Sequence, residues 1–182
     1  MKLMIASDIH GSALYCEKML ERFRSEKADR LLLLGDILYH GPRNPLPEGY
    51  EPKKVFEMLY PERSRILAVR GNCDAEIDQL VLGLPALPEI ALLEVNGLTI
   101  YAAHGHTVTE ADPLPLENGE ILLCGHTHVP VCSEHETFIF MNPGSVTMPK
   151  ENTPHSYMIL EGRTFRWKDL ETDEVFADCT VK

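Results

Sequence analysis

The sequence is poor in basic residues and lacks both a paired-cysteine motif and a long apolar run. Lysine and arginine number 17 against 28 acidic residues, which gives a formal net charge of -11. Because binding many phosphates of a nucleic acid requires a basic face, we expect no nucleic acid partner. None of the five cysteines forms a CxxC pair, which argues against a disulfide framework or a cysteine zinc site and favours a cytoplasmic protein. Without a membrane-length apolar run or the apolar segment of a signal peptide, we expect no membrane association.

The first half of the 182-residue chain is predicted to alternate strands and helices. Strand-like apolar segments cover residues 2–7, 31–34 and 65–69, and helices are expected after Ser12, from about residue 52 and across residues 77–81. Apolar positions of the first and third helices are Leu14, Met19, Leu20, Phe23, Ile77, Leu80 and Val81. Repeated units of this kind imply parallel strands joined by right-handed crossovers.

The second half is predicted to be mostly β-structure. Residues 89–95 and 98–103 flank Asn96-Gly97, which is a strong signal for a two-residue hairpin turn. Further strands are expected at residues 120–124, 129–133 and 137–141, and from 156 to about 177 with a turn at Glu161-Gly162. The pattern favours an α/β fold in which two sheets pack face to face with helices outside, in one domain spanning residues 1–182.

Polar side chains follow several of the predicted strands and glycine turns. Residues 31–34 are four leucines that run directly into Gly35-Asp36, so Asp36 is expected at the carboxyl end of a buried strand. The other residues in comparable positions are Asp8, His10, Asn72, His104, His126 and His128. Singly, each could be a capping or turn residue. Together they form an oxygen and nitrogen donor set that suits Mn, Fe, Co, Ni or Zn, and Asp36 is the candidate bridge between two ions.

Five blocks of this sequence resemble the signature motifs of the calcineurin-like metallophosphoesterases. They are Asp8-Ile9-His10, Gly35-Asp36, Gly71-Asn72, His104-Gly105-His106 and Gly125-His126-Thr127-His128. The resemblance spans roughly residues 2–148 and is strongest to the small bacterial and archaeal phosphodiesterases of the YfcE-like group, which also share the Asn142-Pro143-Gly144-Ser145 stretch. It implies a four-layer αββα sandwich in which two facing mixed sheets are flanked by helices.

The resemblance also implies a two-metal site with a bridging hydroxide. It places one ion on Asp8, His10, Asp36 and His128, and the other on Asp36, Asn72, His104 and His126. Manganese is the expected metal. His106 matches the second histidine of its block and is expected to face the substrate or to lie behind the ligands.

Charge gives a reason to prefer phosphodiesters as substrates. Two carboxylates against two dications leave about +2, which a hydroxide and a monoanionic diester would neutralise. The leading hypothesis is therefore a metal-dependent phosphodiesterase acting on a small phosphoester. A phosphomonoesterase or nucleotide phosphatase is the first alternative. An interaction scaffold is the second, because the fold includes a retromer subunit, although Asp36 and Asn72 are intact here. A homo-oligomer is compatible with the sequence.

Cys73 stands where many relatives carry a histidine that is thought to protonate the leaving group. Beside two dications its thiol could ionise and lose that role, or it could simply pack at the site. His106 is then a further candidate acid, and Asp74 is expected to orient a neighbouring histidine.

The loop that follows Asp36 is the candidate substrate-binding segment. It contains His40, Arg43 and Asn44, and Arg43 is expected to bind the phosphate of the substrate. The competing interpretation is a solvated loop. His135 and His155 have no motif around them and are expected at the surface.

Overall fold

A computed structural model describes residues 1–117 and 119–182. In its first half, strands and helices alternate as predicted. The elements are β1 (Leu3–Ala6), α1 (Ala13–Ser25), β2 (Arg30–Leu33), α2 (Pro52–Leu59), a 3-10 helix (Tyr60–Arg65), β3 (Ile66–Ala68) and α3 (Glu76–Leu82). Ser12 caps α1 by accepting a hydrogen bond from the Tyr15 N–H, which is why the helix begins directly after the first turn.

Strands dominate the second half, again as predicted. They are β4 (Ile90–Val95), β5 (Leu98–Ala103), β6 (Glu120–Leu123), β7 (Pro130–Glu134), β8 (Phe138–Pro143), β9 (Ser156–Glu161), β10 (Thr164–Asp169) and β11 (Val175–Thr180). Asn96 and Gly97 both adopt positive φ between β4 and β5, the backbone geometry that a two-residue hairpin turn requires.

The strands form two mixed sheets. The first has the order β11-β10-β9-β1-β2-β3, with β1, β2 and β3 parallel to one another. The second has the order β4-β5-β6-β8-β7, with β5, β6 and β8 parallel and both edge strands antiparallel. As a result, the carboxyl ends of six parallel strands, three from each sheet, meet at one edge of the molecule.

Side-chain alternation along β1 explains how the layers pack. Leu3 and Ile5 face the second sheet in a core shared by the two sheets, whereas Met4 and Ala6 face helices α1 and α2. The predicted arrangement of facing mixed sheets with helices outside is confirmed. On the outer face of the second sheet, a third cluster is covered by the segment that contributes Val108, Leu114 and Leu116.

Local packing decides the burial of side chains in α3 and of His155. Ile77, Leu80 and Val81 lie on the predicted helix but are exposed, because this two-turn helix turns Leu82 inward and ends at Gly83 in the left-handed conformation. His155 is partly buried rather than at the surface, since its ring stacks on Tyr15 at 4.0 Å between centroids. Among the described residues, no helix is both long enough and apolar enough to cross a membrane.

Candidate metal centre

The polar residues predicted at the strand ends come together where the two sheets meet. Asp8 and His10 follow β1, Asp36 follows β2, and Asn72 follows β3 in the first sheet. The second sheet contributes His104 after β5, and His126 and His128 after β6. Because these strands run parallel within each sheet, separate turns deliver all seven side chains to one site.

A first group consists of Asp8, His10 and His128. Asp8 Oδ1 lies 3.2 Å from His128 Nε2 and 3.5 Å from His10 Nε2, and the two Nε2 atoms are 3.4 Å apart. All three side chains are buried. Their donor atoms fall within 4.8 Å of one another, which is close enough for one ion to contact all three.

A second group is built on Asp36. Its Oδ2 lies 3.3 Å from His104 Nε2 and also 3.6 Å from His10 Nε2 in the first group. His104 Nε2 is 3.1 Å from Asn72 Oδ1, and the His126 ring lies 5.1 Å from that of His104 between centroids. Asp36 therefore touches both groups, which is the position expected of a bridging carboxylate.

Backbone carbonyls orient three of the imidazoles. The Nδ1 atoms of His10, His104 and His128 lie 3.0, 2.6 and 2.7 Å from the carbonyl oxygens of Tyr39, Leu34 and Met148. A carbonyl can only accept, so each Nδ1 donates and each Nε2 is left to face the centre. This is the arrangement by which proteins fix a histidine ligand toward a metal.

Neighbouring carboxylates and imidazoles shift the pKa values of one another at this centre. Burial opposes ionisation of Asp8, but the adjacent imidazoles of His10 and His128 prevail and hold its pKa well below its usual range. Burial likewise disfavours a charged His104, yet the hydrogen bond to Asp36 raises the pKa of His104 to about 9. In the metal-free protein, the proton on His104 thus places a positive charge beside the carboxylate of Asp36.

The donor set fits a pair of divalent cations. Asp8 Oδ1 is fully buried and has no hydrogen-bond partner among the described residues, so a cation would satisfy an atom that the protein leaves open. The other donors are carboxylate and amide oxygens and imidazole nitrogens, which suit transition metals of intermediate hardness.

The backbone at the centre is held in an uncommon conformation. Asp8, His10, Asp36, His126 and His128 all have positive φ, between 49° and 64°. Non-glycine residues rarely adopt this left-handed region, and its clustering at a site signals strain tolerated for function. The turn after β3 passes so close to Asp36 that only glycine fits at position 71. A Cβ on Gly71 would lie 2.1 Å from Asp36 Oδ1.

Asp74 differs from its prediction. It does not orient a histidine; its Oδ2 accepts hydrogen bonds from the N–H groups of Asp36 and Gly71, and its Oδ1 accepts one from Ile37, each at 2.8 Å. The carboxylate therefore ties the turn after β3 to the turn after β2. Asp74 is a positioning residue for Asp36.

Cys73 lies against the same centre. Its N–H donates to Asp36 Oδ1 at 2.8 Å, and its sulfur accepts from Asn72 Nδ2 at 3.2 Å. Its Sγ belongs to a third group of close donor atoms with His10 and Asp36, so the site includes a thiol that the predicted donor set left out. Burial and the charge of Asp36 raise the pKa of this thiol to about 12, which keeps it protonated in the metal-free protein rather than ionised.

A cavity of about 440 Å³ opens onto the centre. Arg43 and Asn44 line it, as predicted for the substrate loop, together with Tyr39 and Lys150, which sequence reasoning missed. His40 lies outside the cavity wall, because its ring packs edge-on against Tyr39 and Tyr50.

His106 also lies outside the cavity wall. Its ring is 5.4 Å from that of His104 between centroids, and its Nε2 is 3.9 Å from Glu89 Oε2. Arg70 approaches the same carboxylate at 3.9 Å, so Glu89 lies between this arginine and His106.

The segment after β8 braces two of the ligand-bearing turns. Asn142 Nδ2 donates to the carbonyl of Gly125 at 2.7 Å, and Ser145 Oγ donates to the carbonyl of Asp8 at 3.1 Å. Thr147 Oγ1 donates to Ile9 at 2.8 Å. The Asn-Pro-Gly-Ser stretch was the signal available in the sequence, but its bonding partners depend on the fold.

Comparison with known proteins agrees with this geometry. The model of the calcineurin-like phosphoesterase superfamily domain matches residues 1–164. Phosphodiesterase YfcE of Escherichia coli strain K12 is 40% identical over 181 residues, covering 100% of this chain and 98% of that protein. A solved structure of YfcE, described as a phosphoesterase from E. coli, matches with a TM-score of 0.96 at 40% identity over 100% of both chains.

More distant structures share the fold. Vacuolar protein sorting 29 from Cryptosporidium parvum matches with a TM-score of 0.65 at 20% identity, covering 98% of this chain and 97% of that one. At this identity the likeness concerns the fold alone. The family model and the full-length match to YfcE confirm the predicted family, and the chain belongs to the calcineurin-like phosphoesterase superfamily.

Proposed function

We propose that this protein is a metal-dependent phosphodiesterase that hydrolyses small phosphodiesters. The observation that carries the proposal is the position of Asp36, whose Oδ2 lies within 3.6 Å of imidazoles from both groups of candidate ligands. The full-length similarity to a protein named as a phosphodiesterase supports the same reaction. Divalent metals bound at such a site activate water, neutralise the phosphoryl oxygens and align attack with the leaving group.

Seven side chains would hold the metals. We assign Asp8, His10, Asp36 and His128 to one ion, and Asp36, Asn72, His104 and His126 to the other. We propose manganese as the working metal, because the ligands are oxygen and nitrogen atoms with two carboxylates among them.

The cavity residues would bind and orient the substrate. Arg43 is exposed at the cavity wall and presents five N–H donors, so we assign it to the non-bridging oxygens of the scissile phosphate. Asn44 is held by a hydrogen bond from its Nδ2 to the His40 carbonyl at 2.8 Å, which leaves its side-chain oxygen free to accept from a substrate hydroxyl.

Cys73 would limit the leaving groups that the enzyme can expel. A thiol is a weak hydrogen-bond donor, whereas an imidazole at the same position can deliver a proton to a departing alkoxide. We therefore propose that its substrates are diesters whose leaving group needs little protonation. Since His106 lies outside the cavity wall, it would act on substrate only after a rearrangement.

A phosphomonoesterase remains the second candidate because Arg43 and Lys150 add positive charge to the cavity, which suits a dianion. The retained ligand set supports an enzyme rather than a scaffold. We place the protein in the cytoplasm, since its five cysteines are free thiols.

The test is a metal-reconstitution assay with a matched variant. Chelated protein should not hydrolyse bis(p-nitrophenyl) phosphate, and added Mn²⁺ should restore turnover more than Zn²⁺ or Ni²⁺ does. Asp36→Ala should nearly abolish turnover because two dications then lack their shared anion. Full turnover by chelated protein would refute a metal-dependent reaction, and faster hydrolysis of p-nitrophenyl phosphate would favour the monoesterase.

A further inference from the structure

Two cationic side chains reach the cavity from different loops. Arg43 comes from the segment after β2, and Lys150 comes from the segment after β8. Among the described residues, neither side chain forms an ion pair, and Asp36 is the one carboxylate in the cavity wall. In a chain of net charge -11, this concentration of unpaired positive charge points to an anionic ligand.

Lys150 is anchored beside the metal centre by its backbone. Its N–H donates to the carbonyl of His128 at 3.2 Å, and its own carbonyl accepts from both the N–H and the Oγ1 of Thr153, at 3.0 and 2.7 Å. The His128 ring in turn donates to the Met148 carbonyl at 2.7 Å. The backbone of Lys150 is thus fixed relative to His128, a candidate metal ligand, and its long side chain lines the cavity.

Charge indicates what Lys150 would bind. Under the proposed function, on which this inference rests, the two metals and their carboxylates leave about +2, which an attacking hydroxide and a diester monoanion neutralise. Arg43 and Lys150 raise the cavity to about +4, so about two negative charges of the substrate are still missing. A terminal phosphate group carries about -1.5 to -2 at neutral pH.

We propose that the natural substrate is a phosphodiester that bears a second phosphate group on one of its two arms. Lys150 binds this second phosphate, and Arg43 binds the non-bridging oxygens of the scissile phosphate. The cavity of about 440 Å³ is large enough for a ligand of this kind. Lys150 is therefore a specificity-determining residue.

The experiment compares two p-nitrophenyl diesters that differ by one group. They are the p-nitrophenyl ester of thymidine 5′-phosphate and the same compound with an added 3′-phosphate, each assayed with manganese-loaded enzyme. Wild type should show a KM about 5- to 20-fold lower for the compound with the second phosphate, the range expected for a partly solvated charge pair. The advantage should shrink as ionic strength rises.

Two variants isolate the contribution of Lys150. Lys150→Ala should remove most of the KM difference between the substrates while the ratio of their kcat values stays constant, and Lys150→Arg should retain the difference. Lys53→Ala is the matched control, because that side chain is 87% exposed and lies outside this cavity. Competitive inhibition by thymidine 3′,5′-bisphosphate, measured on the plain diester, should weaken only in Lys150→Ala.

Two results would overturn the proposal. One is a wild-type enzyme with equal KM for both compounds, and the other is a preference that survives in Lys150→Ala. Hydrolysis of both diesters without such a preference would leave the phosphodiesterase function standing and remove only the second-phosphate site. If the loaded wild type hydrolysed neither diester, the proposed function itself would fail, and this inference with it.

Discussion

Replacing Asp74 with asparagine should loosen the metal centre without touching a metal ligand. The carboxylate accepts three backbone hydrogen bonds, two at Oδ2 from Asp36 and Gly71 and one at Oδ1 from Ile37. An amide has only one acceptor oxygen, so it can satisfy at most the pair at Oδ2. Its NH₂ group would then face the Ile37 N–H, and a buried donor would lose its partner.

The hydrogen bonds and burial of Asp74 determine how much Asp74→Asn destabilises the protein. An orphaned buried N–H costs about 1–3 kcal/mol, and the two remaining bonds weaken because their acceptor is no longer charged. Against this, burial raises the pKa of Asp74, so a neutral amide avoids the cost of burying a carboxylate. We expect a net loss of about 2 kcal/mol in the free energy of unfolding of the metal-free protein, measured by urea titration.

The substitution should also lower activity, because Asp74 holds the turn that carries Asp36. Its turn loses the cross-link to Gly71, so both the affinity for Mn²⁺ and kcat/KM on an aryl diester should drop, the latter by about 10- to 100-fold. Asp78→Asn is the control, because Asp78 accepts one N–H, from Ala75 at 2.8 Å, and an amide oxygen can replace that bond. A variant with wild-type metal affinity but low kcat would show that Asp74 acts on the substrate instead, and wild-type values throughout would refute the positioning role.

Three further predictions follow from the same geometry. Cys73→His should raise kcat/KM on diesters with alkyl leaving groups more than on aryl diesters, by up to about 10²-fold, and an unchanged ratio at equal metal content would assign Cys73 to packing. Gly125→Ala should destabilise the protein by about 1–3 kcal/mol, because the new Cβ would lie 2.0 Å from Ser7 Oγ and 2.9 Å from Asp8 Oδ2; denaturant titration should show partial rescue by adding Ser7→Ala. His104 has a pKa raised from 6.5 to about 9, so it stabilises the metal-free fold fully below about pH 6.5, and this contribution is lost as the pH rises through 9. The Tm of chelated protein, followed by calorimetry, should therefore fall over that window, and a Tm that rises there would contradict the His104–Asp36 pairing.

Much of the architecture could be predicted because each element carries a local signal. The four leucines before Gly35 identify a strand buried on both faces, and Asn96-Gly97 identifies a hairpin turn, whatever the rest of the chain does. The candidate ligands could also be located in the sequence, since each follows a strand or a glycine turn. Parallel pairing then brings those ends to one edge of the molecule.

The roles of the surrounding residues could not be predicted in this way. Asp74 was predicted to orient a histidine, but two of its three partners are backbone N–H groups of a turn 37 and 38 residues away. Lys150 has no strand or motif next to it that would direct it to the cavity. His40 lies in the correct loop, yet the direction of its side chain depends on packing against Tyr50, ten residues further on. Such roles arise from contacts between turns, and local sequence patterns do not encode those contacts.

The left-handed backbone at the ligands explains why the turns are bound to one another so extensively. An L-residue with positive φ costs about 1–3 kcal/mol, and such a conformation persists only where surrounding bonds over-determine it. Here the N–H of His10 donates to the Asp36 carbonyl at 2.8 Å, and the N–H of Gly125 donates to the His104 carbonyl at 2.8 Å. Each strained turn is thus held by the turn of a neighbouring strand. Because these bonds involve only backbone atoms, the fold itself places the proposed ligands, and metal ions would enter a site whose geometry already exists.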